Sequence, residues 1–267
     1  MSTLCRRYGV SPAGFYAWRR RAASAHAEQD RRLSATITAL FTAHTQCYGS
    51  PRIHRVLTDA GWRVSRRRVA RLMRAHGLRA KAVCGYRPKA RLHRRYAQHP
   101  NRLWTTAVTR PNQVWVGDLT YFRVASSWRY LAVVMDQYSR RVLAWSLTRR
   151  RTSRVACAVL TRAARTRPSA GVIFHSDRGS EYMGEPFCTH AAQLGLLQSA
   201  NVRGPGDNSH IESFFHSLKA ELTRGVVFPT EQALRSSLHR YMRYYNGTRL
   251  HSALGYRSPI AFERQAA

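Results

Sequence analysis

Val114-Trp115-Val116-Gly117-Asp118-Leu119-Thr120-Tyr121-Phe122 is a run of β-branched and aromatic residues with one acid set inside it. Such side chains suit a pleated, buried surface, so the run predicts a strand that carries Asp118. Moving outward, Tyr130 to Met135 and Arg141 to Leu147 repeat the signal, and the connections at Ser126-Ser127 and Asp136 to Arg140 are short enough for antiparallel hairpins. A helix is expected from about Thr152 to Arg165. It is followed by the strand Val172-Ile173-Phe174-His175-Ser176-Asp177, a helix from about Glu185 to Leu194 and a short strand at Leu196 to Ser199. Three hairpin strands followed by alternating helix and strand describe an α/β fold, a mixed sheet flanked by helices.

The turn Gly204-Pro205-Gly206 then leads into Asp207-Asn208-Ser209-His210-Ile211-Glu212-Ser213-Phe214-Phe215-His216-Ser217-Leu218-Lys219. Short polar side chains at the start can cap free backbone N–H groups, and Ile211, Leu218 and Leu222 recur at helical spacing. Steps of four and seven residues place Glu212, His216 and Lys219 on the opposite, polar face. Ser209-His210-Ile211-Glu212 also matches a capping box, in which the glutamate merely closes the helix start.

The chain has 267 residues, with 45 Lys plus Arg against 13 Asp plus Glu, a net charge of +32. That balance predicts a polyanionic partner. No apolar run approaches the ~20 residues of a spanning helix, and no signal peptide is visible, so nucleic acid in a cytoplasmic, nucleoid setting is expected rather than a membrane. Residues 1–100 hold 22 of the basic residues and only three acids. The five cysteines are widely spaced, which argues against a disulfide framework or structural zinc.

The basic segment is expected to be a small all-α region of helix-turn-helix type that binds DNA. Leu4 to Arg21 reads as two short helices broken at Gly9, the second capped by Ser11 with Pro12 at its first position. A helical segment around Leu33 to His44 precedes a second pair, Ser50 to Gly61 and Ser65 to Gly77. The last of these displays Arg66, Arg67, Arg68, Arg71 and Arg74, which are candidates for phosphate contacts. The expected boundaries are a partial helix-turn-helix at 1–30, a basic helical domain at 31–80, a basic linker at 81–111, a catalytic core at 112–225 and a helical extension at 226–267.

In the expected sheet Asp118 and Asp177 end up on neighbouring strands, with the Glu212 helix packed across both. Three carboxylates in one place repel and take up protons unless cations neutralise them. Mg²⁺ suits oxygen ligands, and two such ions stabilise the attacking and leaving oxygens of a phosphoryl displacement. Asp118, Asp177 and Glu212 are therefore the candidate catalytic and metal-ligating residues.

These motifs resemble the second-frame (OrfB-type) transposases of bacterial insertion sequences, whose core is similar to retroviral integrases and the RNase H fold. The likeness rests on Trp115 to Tyr121, His175-Ser176-Asp177-Arg178-Gly179-Ser180-Glu181-Tyr182 and Asp207 to Phe215. Tyr48-Gly49-Ser50-Pro51-Arg52 and Tyr245 to Pro259 extend it over almost the whole chain. In this sequence 34 residues separate Asp177 from Glu212, one fewer than the family pattern. The resemblance implies metal-dependent cleavage and joining of DNA with Mg²⁺, or Mn²⁺ in its place. It further implies terminal repeats and target DNA as partners, a homo-oligomer on DNA, an upstream-frame partner or fusion, and Lys219 as a DNA-contacting cation. An RNase H-type nuclease and a non-catalytic basic DNA-binding regulator are the alternatives.

Overall fold

The computed structural model describes residues 2–20, 24–81, 99–201, 208–223 and 226–266. Arg21, most of the expected linker and the turn Gly204-Pro205-Gly206 with Asp207 lie outside the described residues. The chain divides into two compact units, Met1–Ala80 and Lys81–Ala267.

The first unit contains α1 (Ser2–Arg7), α2 (Pro12–Arg20), α3 (Ala25–Ala43), α4 (Ser50–Asp59) and α5 (Arg66–Ala75). Serines start three of these helices by accepting a backbone N–H: Ser11 from Gly14 at 3.0 Å, Ser24 from Ala27 at 3.1 Å and Ser65 from Arg68 at 3.2 Å. After α4 and α5 the chain turns at Gly61 and Gly77, with φ of 86° and 65°, a region that favours glycine. Leu33, Ile37 and Phe41 of α3 form the core with Ile53 and Leu57 of α4 and Val69, Leu72 and Met73 of α5. By contrast α2 buries none of its residues, and Trp18 stays exposed.

The second unit is built on a five-stranded sheet of β1 (Val114–Val124), β2 (Ser127–Asp136), β3 (Val142–Thr148), β4 (Ile173–Ser176) and β5 (Leu197–Ala200). The strand order is β3-β2-β1-β4-β5. β1, β2 and β3 pair antiparallel, while β4 and β5 add in parallel beside β1, the RNase H-like arrangement. The first hairpin turns at Ala125 and Ser126, one residue earlier than the sequence suggests, with Ala125 in the left-handed region at φ 48°.

The helices of this unit are α6 (Ser153–Thr166), α7 (Ser180–Met183), α8 (Glu185–Gln193), α9 (Ser209–Leu222), α10 (Glu231–Gly247) and α11 (Pro259–Ala266). Alternation along β1 sends Trp115 to one face of the sheet and Val114, Val116, Phe122 and Val124 to the other. The Trp115 face packs on Val159, Leu160 and Ala163 of α6 and Phe187 and Ala191 of α8. The opposite face packs on Ile211, Phe214, Phe215 and Leu218 of α9, and on Leu234, Leu238, Tyr241, Met242 and Tyr245 of α10. At about 1.5–3 kcal/mol for each fully buried large apolar side chain, α10 is as much a part of this core as α9.

Polar side chains fasten that addition. Arg249, just past α10, donates to the Glu221 carboxylate of α9 through Nε at 2.9 Å and Nη2 at 2.6 Å, and the Tyr241 hydroxyl donates to it at 3.0 Å. Asn246 brackets Val142, accepting its N–H at 3.0 Å and donating to its carbonyl at 2.9 Å. Glu263 of α11 accepts from Arg141 and Arg167, each at 2.6 Å, and from the Ser139 hydroxyl at 2.7 Å.

Candidate active site

Asp118 lies one residue beyond the point where β1 and β4 part. Their parallel pairing runs from Val114 opposite Ile173 to Gly117 opposite Ser176 and then stops. Asp177 follows immediately on the β4 side, so the two acids flank the fork. An even position in β1 puts Asp118 on the α9 face of the sheet. Its carboxylate is set deep among protein atoms yet stays partly accessible. That burial, reinforced by the Asp177 charge and then by Glu212 and Glu181, holds the Asp118 carboxyl well above the usual carboxylate range, against the N–H of Leu119 donated to it at 2.7 Å.

The strand can come this close to β4 because position 117 is glycine. A Cβ there would lie 2.9 Å from Cε2 and 3.3 Å from Cε1 of Phe174, and nearer still to Cζ. Asp177 is held by the N–H of Gly179, donated to Oδ1 at 3.0 Å. Beneath it, the backbone N–H of Arg102 donates to the Ser199 hydroxyl at 2.9 Å. That hydroxyl meets His175 Nδ1 at 2.8 Å, and His175 Nε2 meets Asn201 Oδ1 at 2.6 Å. All three bonds are satisfied, with the hydroxyl proton used as well, when Ser199 donates to a neutral His175, which in turn donates to Asn201.

Glu212 comes from α9, and its setting bears on the capping-box reading. The N-cap of α9 is Asn208 rather than Ser209, and it makes no capping hydrogen bond. Glu212 is thus the fourth residue of the helix, one place beyond the position a capping box requires, so the box is not formed. Asn208 instead donates Nδ2 to the Gly117 carbonyl at 3.4 Å, tying the start of α9 to the residue before Asp118. Its Oδ1 is buried with no partner among the described residues. Burial also raises the Glu212 carboxyl above its ordinary range.

Lys219 sits further along α9 with its Nζ 4.5 Å from the centre of the Tyr121 ring. Burial lowers its ammonium pKa, and the charge of Asp118 acts in the opposite sense, so the two groups share one field. Glu181 of α7, a residue to which sequence reading gave no role, is buried and paired with Arg151 at 3.4 Å. Its charge, with those of Asp118 and Asp177, helps to push the buried Tyr182 hydroxyl well above its usual range, burial being the larger cause.

Among the described residues Asp118 and Glu212 have no Lys or Arg within ion-pairing distance, whereas Glu221, Glu231 and Glu263 are each held by arginine. No three His, Cys, Asp or Glu side chains among the described residues converge tightly enough to chelate one ion as they stand. The Asp118 and Glu212 oxygens are nonetheless hard donors with no Lys or Arg in ion-pairing distance among the described residues, which fits a divalent cation such as Mg²⁺.

In the first unit the candidate DNA-binding arginines divide. Arg68 donates to Asp30 Oδ1 at 2.7 Å and to Gln29 at 2.9 Å, and Arg71 donates to Asp30 Oδ2 at 2.6 Å. Arg71, then Arg68, hold the Asp30 carboxyl below its ordinary range. Arg66 and Arg67 are exposed and make no ion pair among the described residues.

An HTH-like domain model matches residues 28–85, and two integrase core domain models match residues 108–204 and 212–266. The chain is 35% identical over 272 residues to the transposase InsF for insertion sequence IS3A of Escherichia coli strain K12, covering 99% of this chain and 94% of that protein. It is 35% identical over 266 residues to an uncharacterized 31 kDa protein of insertion element IS600 from Shigella sonnei, covering 98% of each. Among solved structures, the simian T-cell lymphotropic virus intasome in complex with PP2A regulatory subunit B56 gamma aligns over 78% of this chain and 69% of its own, with a TM-score of 0.49 and 18% identity. The HTLV-2 integrase catalytic core domain in complex with magnesium aligns over 58% of this chain and 97% of its own, with a TM-score of 0.45 and 17% identity. With a near full-length match to InsF added to a sheet that sets Asp118 and Asp177 at one fork, the chain belongs to the family of IS3-type insertion-sequence transposases, whose second unit is an integrase core.

Proposed function

We propose that Asp118, Asp177 and Glu212 are the catalytic residues with which this transposase cuts and joins the DNA ends of its element, and that together they hold divalent metal, two Mg²⁺ ions or Mn²⁺ in their place. The observation that carries this reading is electrostatic. In a chain with 45 cationic side chains, Asp118 and Glu212 have none within ion-pairing distance among the described residues, and Asp118 feels Asp177, Glu212 and Glu181 at once. A buried, repelling cluster is costly unless a cation joins it. Bound metal would supply charge neutralisation at the reacting phosphate and a more acidic water or 3′-hydroxyl.

The protein groups position the strand. The Gly117 carbonyl and the Asn208 amide fix α9 against β1, and the Asp177 loop is fixed by Gly179 and the His175 chain. Lys219, close enough to Asp118 to share its field, would grip the phosphate beside the scissile one and hold the 3′ end in line. Exposed Arg66 and Arg67 supply sequence-independent phosphate contacts from the first unit. Terminal repeats, target DNA and further copies of the chain are the partners this reaction requires.

Purified protein incubated with labelled element ends, target DNA and Mg²⁺ or Mn²⁺ tests the proposal. Joined product that disappears in Asp118→Asn and Glu212→Gln, with DNA binding kept, is expected. Lys219→Ala should lower joining while leaving the fold intact. Cleaved but never joined DNA would favour a nuclease, and tight binding with no metal-dependent product would favour a regulator.

A further inference from the structure

Glu181 belongs to α7, the short helix that begins three residues after Asp177, and only 4% of it is exposed. Its carboxylate lies over the loop between the two. A Cβ at Gly179 would stand 2.7 Å from Glu181 Oε1 and 2.9 Å from Oε2. Gly179 has φ of −64° and ψ of 144°, a backbone that any residue adopts, so the absence of a side chain there is what lets the Glu181 carboxylate lie where it does. The same Gly179 donates its N–H to Asp177 Oδ1 at 3.0 Å. One residue therefore stands between the two carboxylates, and the Glu181 charge also reaches Asp118.

The counter-ion of this acid is loosely held. Arg151, in the connection between β3 and α6, is the one Lys or Arg within ion-pairing distance of Asp118, Glu181 or Glu212 among the described residues. Its Nε stays 3.4 Å from Oε1 and its side chain is 54% exposed, whereas the arginines on Glu221 and Glu263 approach to 2.6 Å. A long contact from a solvated arginine adds little to stability. It does keep a buried acid neutralised, and it can be given up when a more compact, doubly charged ion enters the field of all four carboxylates. Resting on the metal-binding reading of Asp118, Asp177 and Glu212, we propose that Glu181 is a positioning residue for the metal. It strengthens the hold of the other acids on the ion through its charge and through the Asp177 loop, and Arg151 is the cation that stands in until the metal arrives. Metal and Arg151 compete for one negative field, so loading of the site loosens the Glu181–Arg151 pair.

Mn²⁺ titrated into the full chain without DNA, followed by loss of the free-ion EPR signal, reads metal affinity without any reaction. Groups that support metal ligands from behind change affinity by about 10–100-fold, so Glu181→Gln, which keeps the size and removes the charge, should weaken Mn²⁺ binding about tenfold or more. Glu181→Asp should retain most of the affinity. Arg151→Met should tighten binding several-fold, and should change nothing when Glu181→Gln is already present, because Arg151 acts through that carboxylate. Melting curves on the metal-free variants report the structural worth of the pair separately. Wild-type Mn²⁺ affinity in Glu181→Gln, while Asp118→Asn loses it, would overturn the role of Glu181 and leave the three-acid site standing. Wild-type affinity in Arg151→Met, whose exposed side chain can be changed without disturbing the fold, would equally overturn the stand-in. An Asp118→Asn protein that binds Mn²⁺ as tightly as wild type would instead remove the three-acid reading, and the role of Glu181 with it.

Discussion

Gly117→Ala is the smallest substitution that should disable the enzyme without touching a carboxylate. The added methyl would stand 2.9 Å from one ring carbon of Phe174 and 3.3 Å from another, and nearer still to a third. Carbon atoms in contact prefer about 3.5–4.0 Å, so roughly 1 Å of movement is needed. Phe174 cannot supply it, because it is fully buried between Tyr182 and Phe187, with ring centres 6.0 and 5.4 Å away. The strands must separate instead, and Asp118 and Asp177 ride on those strands. Overpacking of this kind costs about 1–3 kcal/mol, which in a unit of this size lowers Tm by roughly 2–12 °C. A displacement near 1 Å at a site that works by positioning costs on the order of 10²-fold in rate. Thermal melting and metal-dependent end cleavage, run on Gly117→Ala and on Gly117→Ala/Phe174→Leu, check both figures. The second variant should recover activity because leucine vacates the ring's space. Wild-type Tm and rate in Gly117→Ala would refute the argument that glycine sets the spacing of the two acids.

Arg249→Met should lower stability by about 3–5 kcal/mol in urea melts because it strands the buried Glu221 charge, whereas the double variant Arg249→Met/Glu221→Gln should recover most of the loss. Arg129, followed by Arg149 and Arg235, holds Glu231 down to about 2 from an ordinary 4.5, so its contribution is complete above pH 4.5 and disappears as pH falls towards 2. The Tm gap between wild type and Glu231→Gln should therefore close across that window, and a constant gap would contradict it. Replacing Arg66 and Arg67 with Ala should flatten the salt dependence of DNA binding by about 0.9 in the log–log slope for each phosphate that is no longer neutralised, while Arg68→Ala should chiefly destabilise the helical unit by leaving Asp30 to Arg71 alone.

The parts of this fold that are local in the chain are legible in the sequence. β1 to β4 announce themselves as β-branched and aromatic runs, and Ser65 and Gly77 bracket α5 as capping chemistry predicts. Asp118 stands out because an acid inside an apolar strand has no packing reason to be there. What escapes sequence reading is either too short, too uniform or too distant. The four residues of α7 hold no period to detect. The first turns of α3 are polar on all sides, so the expected helix begins at Leu33 where the apolar stripe begins, rather than at Ala25. Arg68 looks like one more member of an arginine row, since its partner Asp30 lies 38 residues earlier. The same distance effect hides the pairing of Glu221 with Arg249 and the reach of the Asn208 amide, at the cap position of α9, to the Gly117 carbonyl.

The contribution of α10 to the sheet's core has a consequence for timing during synthesis. The residues that cover Ile211, Phe214 and Leu218 on the α10 side lie between Leu234 and Tyr245, well over a hundred positions after Asp118 leaves the ribosome. At 5–20 residues per second, the nascent chain carries Asp118 for roughly 6–25 seconds before the helix that packs on α9 has been made. A fragment ending before Leu234 would carry Asp118, Asp177 and Glu212 while lacking the α10 side chains that pack on Ile211, Phe214 and Leu218. The seating of α9 on the sheet thus waits for residues made long after the strands themselves.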